Sequence, residues 1–279
     1  MPVALRPVND ESEAIVRHYE AEIREEDRIT IGLGQLELLR TQEILRRHLP
    51  SAPAEILDVG GATGVHASWL ARDGYRVHIV DVTPRHVEKV RADLASIGVT
   101  AELGDARNLE VADDTFDVVL LFGPLYHLVD RDDRIRALRE ARRVMRPGGI
   151  VAAAAINRFA SLFSGLAFEM LTEPEFRAIV ERDLREGQHR NPGRRPEWFT
   201  TAFFHHPDEL ETELEAGGLT LLELVGVEGL AGWLPSLAPQ WETETGREAI
   251  LFAARATEAE PSLLGVSAHL IAVARAADS

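Results

Sequence analysis

Ile56-Leu57-Asp58-Val59-Gly60-Gly61-Ala62-Thr63-Gly64-Val65-His66 is the stretch that decides the fold. A short apolar run ends at a carboxylate, a glycine-rich turn follows, and residues able to open a helix come next. That order spells the first strand, tight turn and first helix of an open α/β sheet. Glycine at the turn lets the backbone approach a bound nucleoside where a side chain would stand in the way. A dinucleotide turn needs G-x-G-x-x-G, with a diphosphate resting on the helix N-terminus. The glycines here are Gly60, Gly61 and Gly64, so that spacing is not met.

Downstream, apolar runs alternate with amphipathic segments. Strands are expected at Glu55–Val59, Tyr75–Val80, Val99–Leu103, Phe116–Phe122 and Ile150–Ile156, with helices between them. Thr83 is placed to cap one of those helices, with Pro84 at its first position. Arg146-Pro147-Gly148-Gly149 reads as the break between the helix at Asp130–Met145 and the fifth strand. Strands separated by helices give a parallel sheet with right-handed crossovers. Residues 157–206 interrupt the rhythm with helices and an arginine- and aromatic-rich loop. A helix at Pro207–Ala216, a strand at Leu219–Val227, a helix near 244–259 and a last strand near 266–274 complete the order. Before the sheet, Ile15, Tyr19 and Ile23 recur on one helical face, and Leu36, Leu39, Ile44 and Leu45 mark a second helix ended by Pro50.

Four local patterns carry a resemblance. Asp58-x-Gly60-x-Ala62-x-Gly64 resembles the D/E-x-G-x-G-x-G motif of class I S-adenosylmethionine (SAM) methyltransferases, with Ala62 in place of the middle glycine. Asp81 closes strand two, where an acceptor-only side chain suits two ribose hydroxyls. Gly104-Asp105-Ala106 resembles the motif that takes the adenine edge. Arg146-Pro147-Gly148-Gly149 resembles the turn before strand five. The resemblance covers about residues 55–156 and is similar to the ubiquinone/menaquinone type. It implies a Rossmann-like, doubly wound α/β fold: a mostly parallel seven-stranded sheet with an antiparallel last strand, N-terminal helices and a helical lid insertion. It places Asp58, Gly60, Gly61, Ala62, Gly64, Asp81, Val82, Asp105, Ala106, Phe122 and Gly123 on the cofactor SAM, with S-adenosylhomocysteine as product. The organisation expected is a helical cap at 1–50, a SAM-binding core at 51–156, a lid at 157–206 and the rest of the sheet at 207–279.

Strand four runs into Phe122-Gly123-Pro124-Leu125-Tyr126-His127. Enzymes acting on exocyclic DNA amines or protein glutamine carry N/D-P-P-Y/F there. The different spelling points to a small-molecule acceptor, methylated at O, N or C. Sulfonium methyl transfer is an in-line displacement, so alignment and exclusion of water dominate. His127 is the first candidate for a general base, with Tyr126 beside it; His189, His205 and His206 are weaker ones. Tyr19, Phe159, Trp198 and Phe199 are the candidate acceptor contacts, and Arg28 and Arg40 are candidates for the SAM carboxylate.

Composition narrows the classes. Forty-six acidic against 30 basic residues give a formal charge of −16, which repels nucleic acid on average. No cysteine is present, so disulfides, thiolate metal sites and cysteine nucleophiles are excluded. No helix-spaced His/Glu set marks a metal site. No apolar run is long enough to span a membrane, and no signal segment opens at Met1-Pro2. A cytoplasmic monomer or homodimer is expected. Two other readings remain open on the residues alone: a nicotinamide-dependent oxidoreductase, and a non-catalytic SAM-binding protein.

Overall fold

The computed structural model describes residues 29–277 except 194, 196 and 197. Ile15, Tyr19, Ile23 and Arg28 lie outside the described residues.

The first described helix, α1 (Gln35–His48), precedes strand β1 (Glu55–Val59). Then follow α2 (Val65–Arg72), β2 (Arg76–Asp81), α3 (Pro84–Asp93), β3 (Thr100–Leu103) and β4 (Phe116–Leu121). A short helix α4 (Pro124–His127) leads to α5 (Arg131–Val144) and the long β5 (Met145–Asn157). The insertion holds α6 (Ala160–Ala167), α7 (Pro174–Glu186) and two short strands, β6 (Gln188–His189) and β7 (Ala202–His205). The chain closes with α8 (Pro207–Ala216), β8 (Leu219–Gly226), α9 (Ala238–Trp241), α10 (Glu244–Thr257) and β9 (His269–Ala276).

The sheet is Rossmann-like. β3, β2, β1, β4 and β5 pair in that spatial order, all parallel. β9 runs antiparallel to β5, from Ile150 opposite Arg275 to Ile156 opposite His269, and β8 pairs antiparallel to β9. Those seven strands are the expected ones, including the reversed last strand. β7 adds to the far end of β5 at Ile156 and Asn157, and β6 pairs with β7. The stretch expected as a loop therefore extends the sheet.

Burial explains the order. Ile56, Leu57, Val118, Val119, Leu120 and Leu121 are fully buried because helices cover both faces of a parallel sheet. Alternate residues feed two cores: Leu57, Val119, Val151 and Ala153 on one side, Ile56, Val118, Leu120 and Ala152 on the other. α5 begins where Asp130 Oδ1 accepts the Asp132 and Asp133 N–H groups, at 2.8 and 3.3 Å. Thr83 occupies the corresponding place before α3, but its hydroxyl makes no capping bond. α5 ends at Val144, just before Arg146–Gly149, and Gly148 supplies a φ of 81°, but the strand begins earlier than expected. β5 starts at Met145, with a register shift against β4 between Phe116 and Val118. Gly149 is required there, since a Cβ would meet the Asp117 carbonyl oxygen at 2.7 Å.

The insertion is tied down by a buried ion network. Arg134 of α5 donates to Glu213 of α8 at 2.7 and 2.8 Å, and His205 of β7 meets the same carboxylate at 3.2 Å. Burial alone would raise the Glu213 carboxyl; hydrogen bonds from Arg134 and His205 outweigh it and hold the group at about 2, against an ordinary 4.5. A depressed carboxyl stabilises the fold above its unfolded value and loses that contribution as pH falls from 4.5 through 2. Glu213→Gln should therefore cost roughly 3 kcal/mol at pH 7 and flatten the acid limb of the stability curve in that window; urea titrations across pH check both.

Candidate active site

β1 ends at Asp58 and Val59, and the turn that follows is built from close backbone approaches. Gly60 has φ 73° and its N–H donates to the Val80 carbonyl at 2.7 Å. A Cβ on Gly60 would strike Pro124 at 2.8 Å, and one on Gly61 would strike the Asp58 carboxylate at 2.6 Å. Gly64 opens α2 at φ 84° and is packed against Leu94, so it seats the helix rather than facing the cavity beside the turn. Ala62 adopts φ 46°, a left-handed conformation that costs a Cβ-bearing residue about 1 kcal/mol. Asp81 Oδ2 holds it there, accepting the Ala62 N–H at 3.0 Å. Asp81 Oδ1 accepts the Thr83 N–H at 2.8 Å and faces His86 Nδ1 at 3.2 Å. Each carboxylate oxygen has two acceptor directions, so Oδ2, with one donor among the described residues, keeps one for a hydroxyl.

These elements enclose a cavity at the carboxyl edge of the sheet. Asp58, Gly60, Gly61, Ala62, Asp81, Val82, Asp105, Ala106, Phe122, Gly123, Tyr126 and His127 all line it. So do Thr63, His66, Thr83, His86, Arg107 and Glu37, none of which the sequence motifs pointed to. Asp105 is gripped by Arg107 at 2.6 to 3.1 Å, and Arg107 also reaches Asp133 at 2.7 Å. Burial would raise the Asp105 carboxyl, but those Arg107 bonds win and hold it below its ordinary value. The Tyr126 hydroxyl donates to the Phe122 carbonyl at 2.8 Å. The His127 ring lies 4.7 Å from Tyr126 and 6.0 Å from Phe199, nearly parallel to the latter.

The cavity wall is electrostatically one-sided. Glu37, Asp58, Asp81, Asp105, Asp130 and Asp133 face Arg107 as the one arginine or lysine among the described residues of the lining. Asp58 is fully buried, and neither of its oxygens has a hydrogen-bond partner. Burial first, and then the Asp81 charge, push its carboxyl up to about 7. Such a wall suits a cationic ligand and repels a diphosphate.

Comparison with known proteins agrees. Residues 56–149 match the family described as a methyltransferase domain. The ubiquinone biosynthesis O-methyltransferase of Azorhizobium caulinodans is 32% identical over 196 residues, covering 67% of this chain and 70% of that one. The chain belongs to the class I SAM-dependent methyltransferases. Methyltransferase GfsG of Streptomyces halstedii is 32% identical over 192 residues; the match takes in 67% of this chain and 60% of GfsG, under two thirds of its length. Among solved structures, a SAM-dependent methyltransferase from Methanosarcina mazei aligns with TM-score 0.56 at 19% identity, covering 84% of this chain and 98% of that one. The CcbJ methyltransferase of Streptomyces caelestis aligns with TM-score 0.56 at 17% identity over 96% and 98% of the two chains. At these identities the solved structures speak for the fold alone.

The cofactor of this methyltransferase is SAM, and the residues fit it. SAM carries a sulfonium and an ammonium, matching an acidic wall with an unpartnered buried carboxylate at Asp58. The glycine turn leaves the space beside Asp58 that a Cβ would fill. The same features count against the nicotinamide reading, whose diphosphate would meet those acids. Arg40, expected as a partner for the SAM carboxylate, lies elsewhere. It is fully buried, pairs with Glu43 and Glu258, and reaches the Val227 carbonyl. Its charge is consumed in joining α1 to the segment after α10.

Two predictions follow from the carboxylates of this methyltransferase. A carboxyl raised to about 7 is protonated below that pH in the cofactor-free protein, so SAM affinity should rise about tenfold between pH 6 and pH 8 as Asp58 ionises. Asp58→Asn should abolish that rise in calorimetry. It should also gain stability over the wild type as pH increases from 4 to 7, because ionising a buried carboxyl disfavours the folded state. Asp81→Ala should weaken SAM binding by roughly 1–3 kcal/mol, and unchanged affinity would remove Asp81 from the cofactor site.

Proposed function

We propose that this protein transfers the SAM methyl group to a small, largely apolar molecule. The observation that supports this reading is a second cavity of about 680 Å³ that shares Tyr126 and Glu37 with the cofactor cavity. Its size lies in the range of small-molecule sites. Leu33, Leu36, Ile156, Phe176, Trp198, Phe199, Phe204 and Trp233 line it, drawn from the N-terminal side, the insertion and the loop after β8. Trp198 and Phe199 thus sit among the lining, as candidate acceptor contacts should. Phe159 does not; it packs against Phe163 and His206, and the neighbouring Ala160 and Ser161 form the wall.

His127 and Tyr126 stand where the cavities meet. With its ring beside Tyr126 and against Phe199, His127 is a plug that fixes the approach line of the acceptor. Phe199 has φ 64°, and Asn191 Nδ2 holds its carbonyl at 2.8 Å. Strain of this kind persists where surrounding structure dictates it, and here it presents a ring to the passage. SAM supplies an already activated methyl group. What the chain adds is alignment, a dry passage and a place for the acceptor's proton.

One named relative is, by its name, an O-methyltransferase of ubiquinone biosynthesis. For this chain the acceptor class is read from the second cavity. Incubation with methyl-labelled SAM and a fractionated metabolite extract should label a molecule of low mass. Label confined to protein or nucleic acid, or none at all, overturns the reading. His127→Ala should lower kcat on that acceptor by about tenfold to a hundredfold while changing SAM affinity less than twofold. Equal losses in both would make His127 a cofactor ligand.

A further inference from the structure

The second cavity carries its charge on one edge and its unsatisfied hydrogen bonds on another. Glu37, Glu228 and His269 gather at the first, with ligating atoms within 4.8 Å of one another. No lysine or arginine lines this cavity among the described residues, so an anion meets two carboxylates and no counter-charge. The other edge belongs to the insertion. Ser161 and Ser164 of α6 and Trp198, from between β6 and β7, all line it.

Two of those three side chains are buried with a polar atom left unpaired. Ser161 is 5% exposed and Trp198 4%. Neither the Ser161 hydroxyl nor the Trp198 indole N–H has a hydrogen-bond partner among the described residues. A buried donor without a partner disfavours the ligand-free protein, and a ligand that supplies the partner recovers the loss. Elsewhere such atoms belong to residues lining the cofactor cavity, as at Asp58 and Thr63, or to side chains otherwise tied down, Asp183 to His189 and His205 to Glu213. Ser161 and Trp198 thus stand to the second cavity as Asp58 and Thr63 stand to the first.

The pair belongs to one rigid wall. A Cβ on Gly165 would meet the Phe176 ring at 2.6 Å, so α6 presses on that ring one turn beyond Ser161. The Phe176 ring centre lies 5.5 Å from that of Trp198. The Arg195 guanidinium covers the indole at 3.9 Å, and the Trp198 carbonyl faces His189 Nε2 at 2.6 Å. Hydroxyl and indole are therefore set in place before a ligand binds, which lowers the cost of ordering them.

We infer that Trp198 Nε1 and the Ser161 hydroxyl are the polar recognition pair of the acceptor cavity, so that the methyl acceptor is a neutral, apolar molecule bearing a carbonyl oxygen. The inference rests on the second cavity being the acceptor site. An indole N–H donates and never accepts, and a hydroxyl donates as readily as it accepts. Together they suit an oxygen with lone pairs and no charge. A carboxylate has the lone pairs but brings the charge that Glu37 and Glu228 repel. An ammonium group has no lone pair to offer the indole. A ketone, ester or amide oxygen meets each condition, with aliphatic or aromatic carbon filling the rest of the cavity. Neither Ser161 nor Trp198 lines the cofactor cavity, so the carbonyl is held apart from the atom that receives the methyl group. The pair selects and orients the acceptor and takes no part in the displacement.

The test compares 2-acetylnaphthalene with 2-ethylnaphthalene, which has nearly the same shape and no carbonyl. Each is titrated by calorimetry into the full chain saturated with S-adenosylhomocysteine, and the ratio of the two affinities is read. Trp198→Phe keeps an aromatic ring and removes the N–H. It should lower the ketone-to-hydrocarbon ratio about tenfold, and Ser161→Ala about threefold, with affinity for the hydrocarbon and for S-adenosylhomocysteine within about twofold of wild type. The infrared carbonyl stretch of the bound ketone should rise in frequency in both variants, as it does when a donor is lost. Ser161→Ala carries the test should Trp198→Phe fail to fold. A wild-type chain that does not prefer the ketone, or a ratio unchanged in both variants, overturns the recognition pair and leaves the acceptor cavity standing. A hydrocarbon that does not bind, or binds equally well after Ser164→Trp has filled the cavity, overturns the acceptor-site reading itself.

Discussion

One carboxylate holds the cofactor half of this molecule in shape. Asp81 accepts the N–H of Ala62 and the N–H of Thr83, so it ties the turn after β1 to the start of α3. The bond to Ala62 matters most, because it keeps a residue with a side chain in left-handed backbone. Without it the turn would relax, and the spacing of Gly60 against Pro124 and of Gly61 against Asp58 would change with it. An acid at the end of a strand is thus both a ligand candidate and the clamp that shapes its own pocket.

The two cavities divide the chemistry by charge. Acidic side chains gather around the cavity beside the glycine turn, and one of them, Asp58, is buried with no hydrogen-bond partner among the described residues. An unpartnered buried carboxyl is costly, and a cation offsets that cost. The neighbouring cavity is aromatic and aliphatic, with its carboxylates collected on the edge formed by Glu37, Glu228 and His269. The division follows from topology. Turns after the parallel strands furnish the first site, whereas α1, the insertion and the reversed β9 furnish the second.

What could be read from the residues follows the range of the interactions involved. Ile56–Val59 and Phe116–Leu121 announce buried strands because their burial is a property of each run by itself. Asp58, Asp81 and Asp105 are legible because strand ends in this topology share one edge. Glu37, Glu228 and His269 are not, since their meeting depends on which way β9 runs and on where α1 docks. Arg40 misleads for the same reason: its partner Glu258 is 218 residues away, and no local pattern foretells the pairing. Gln188–His189 and Ala202–His205 are too short to declare themselves as strands and exist because β5 continues past its core neighbours. His206 is legible as a helix entry, and with Glu209 it forms a capping box at the start of α8.

Arg134 has a wider consequence than its ion pair. Its guanidinium lies 3.6 Å from the centre of the Phe203 ring, grips Glu213, and donates to the Leu128 and Val129 carbonyls. A single side chain thereby rivets the returning end of the insertion to the body of the sheet.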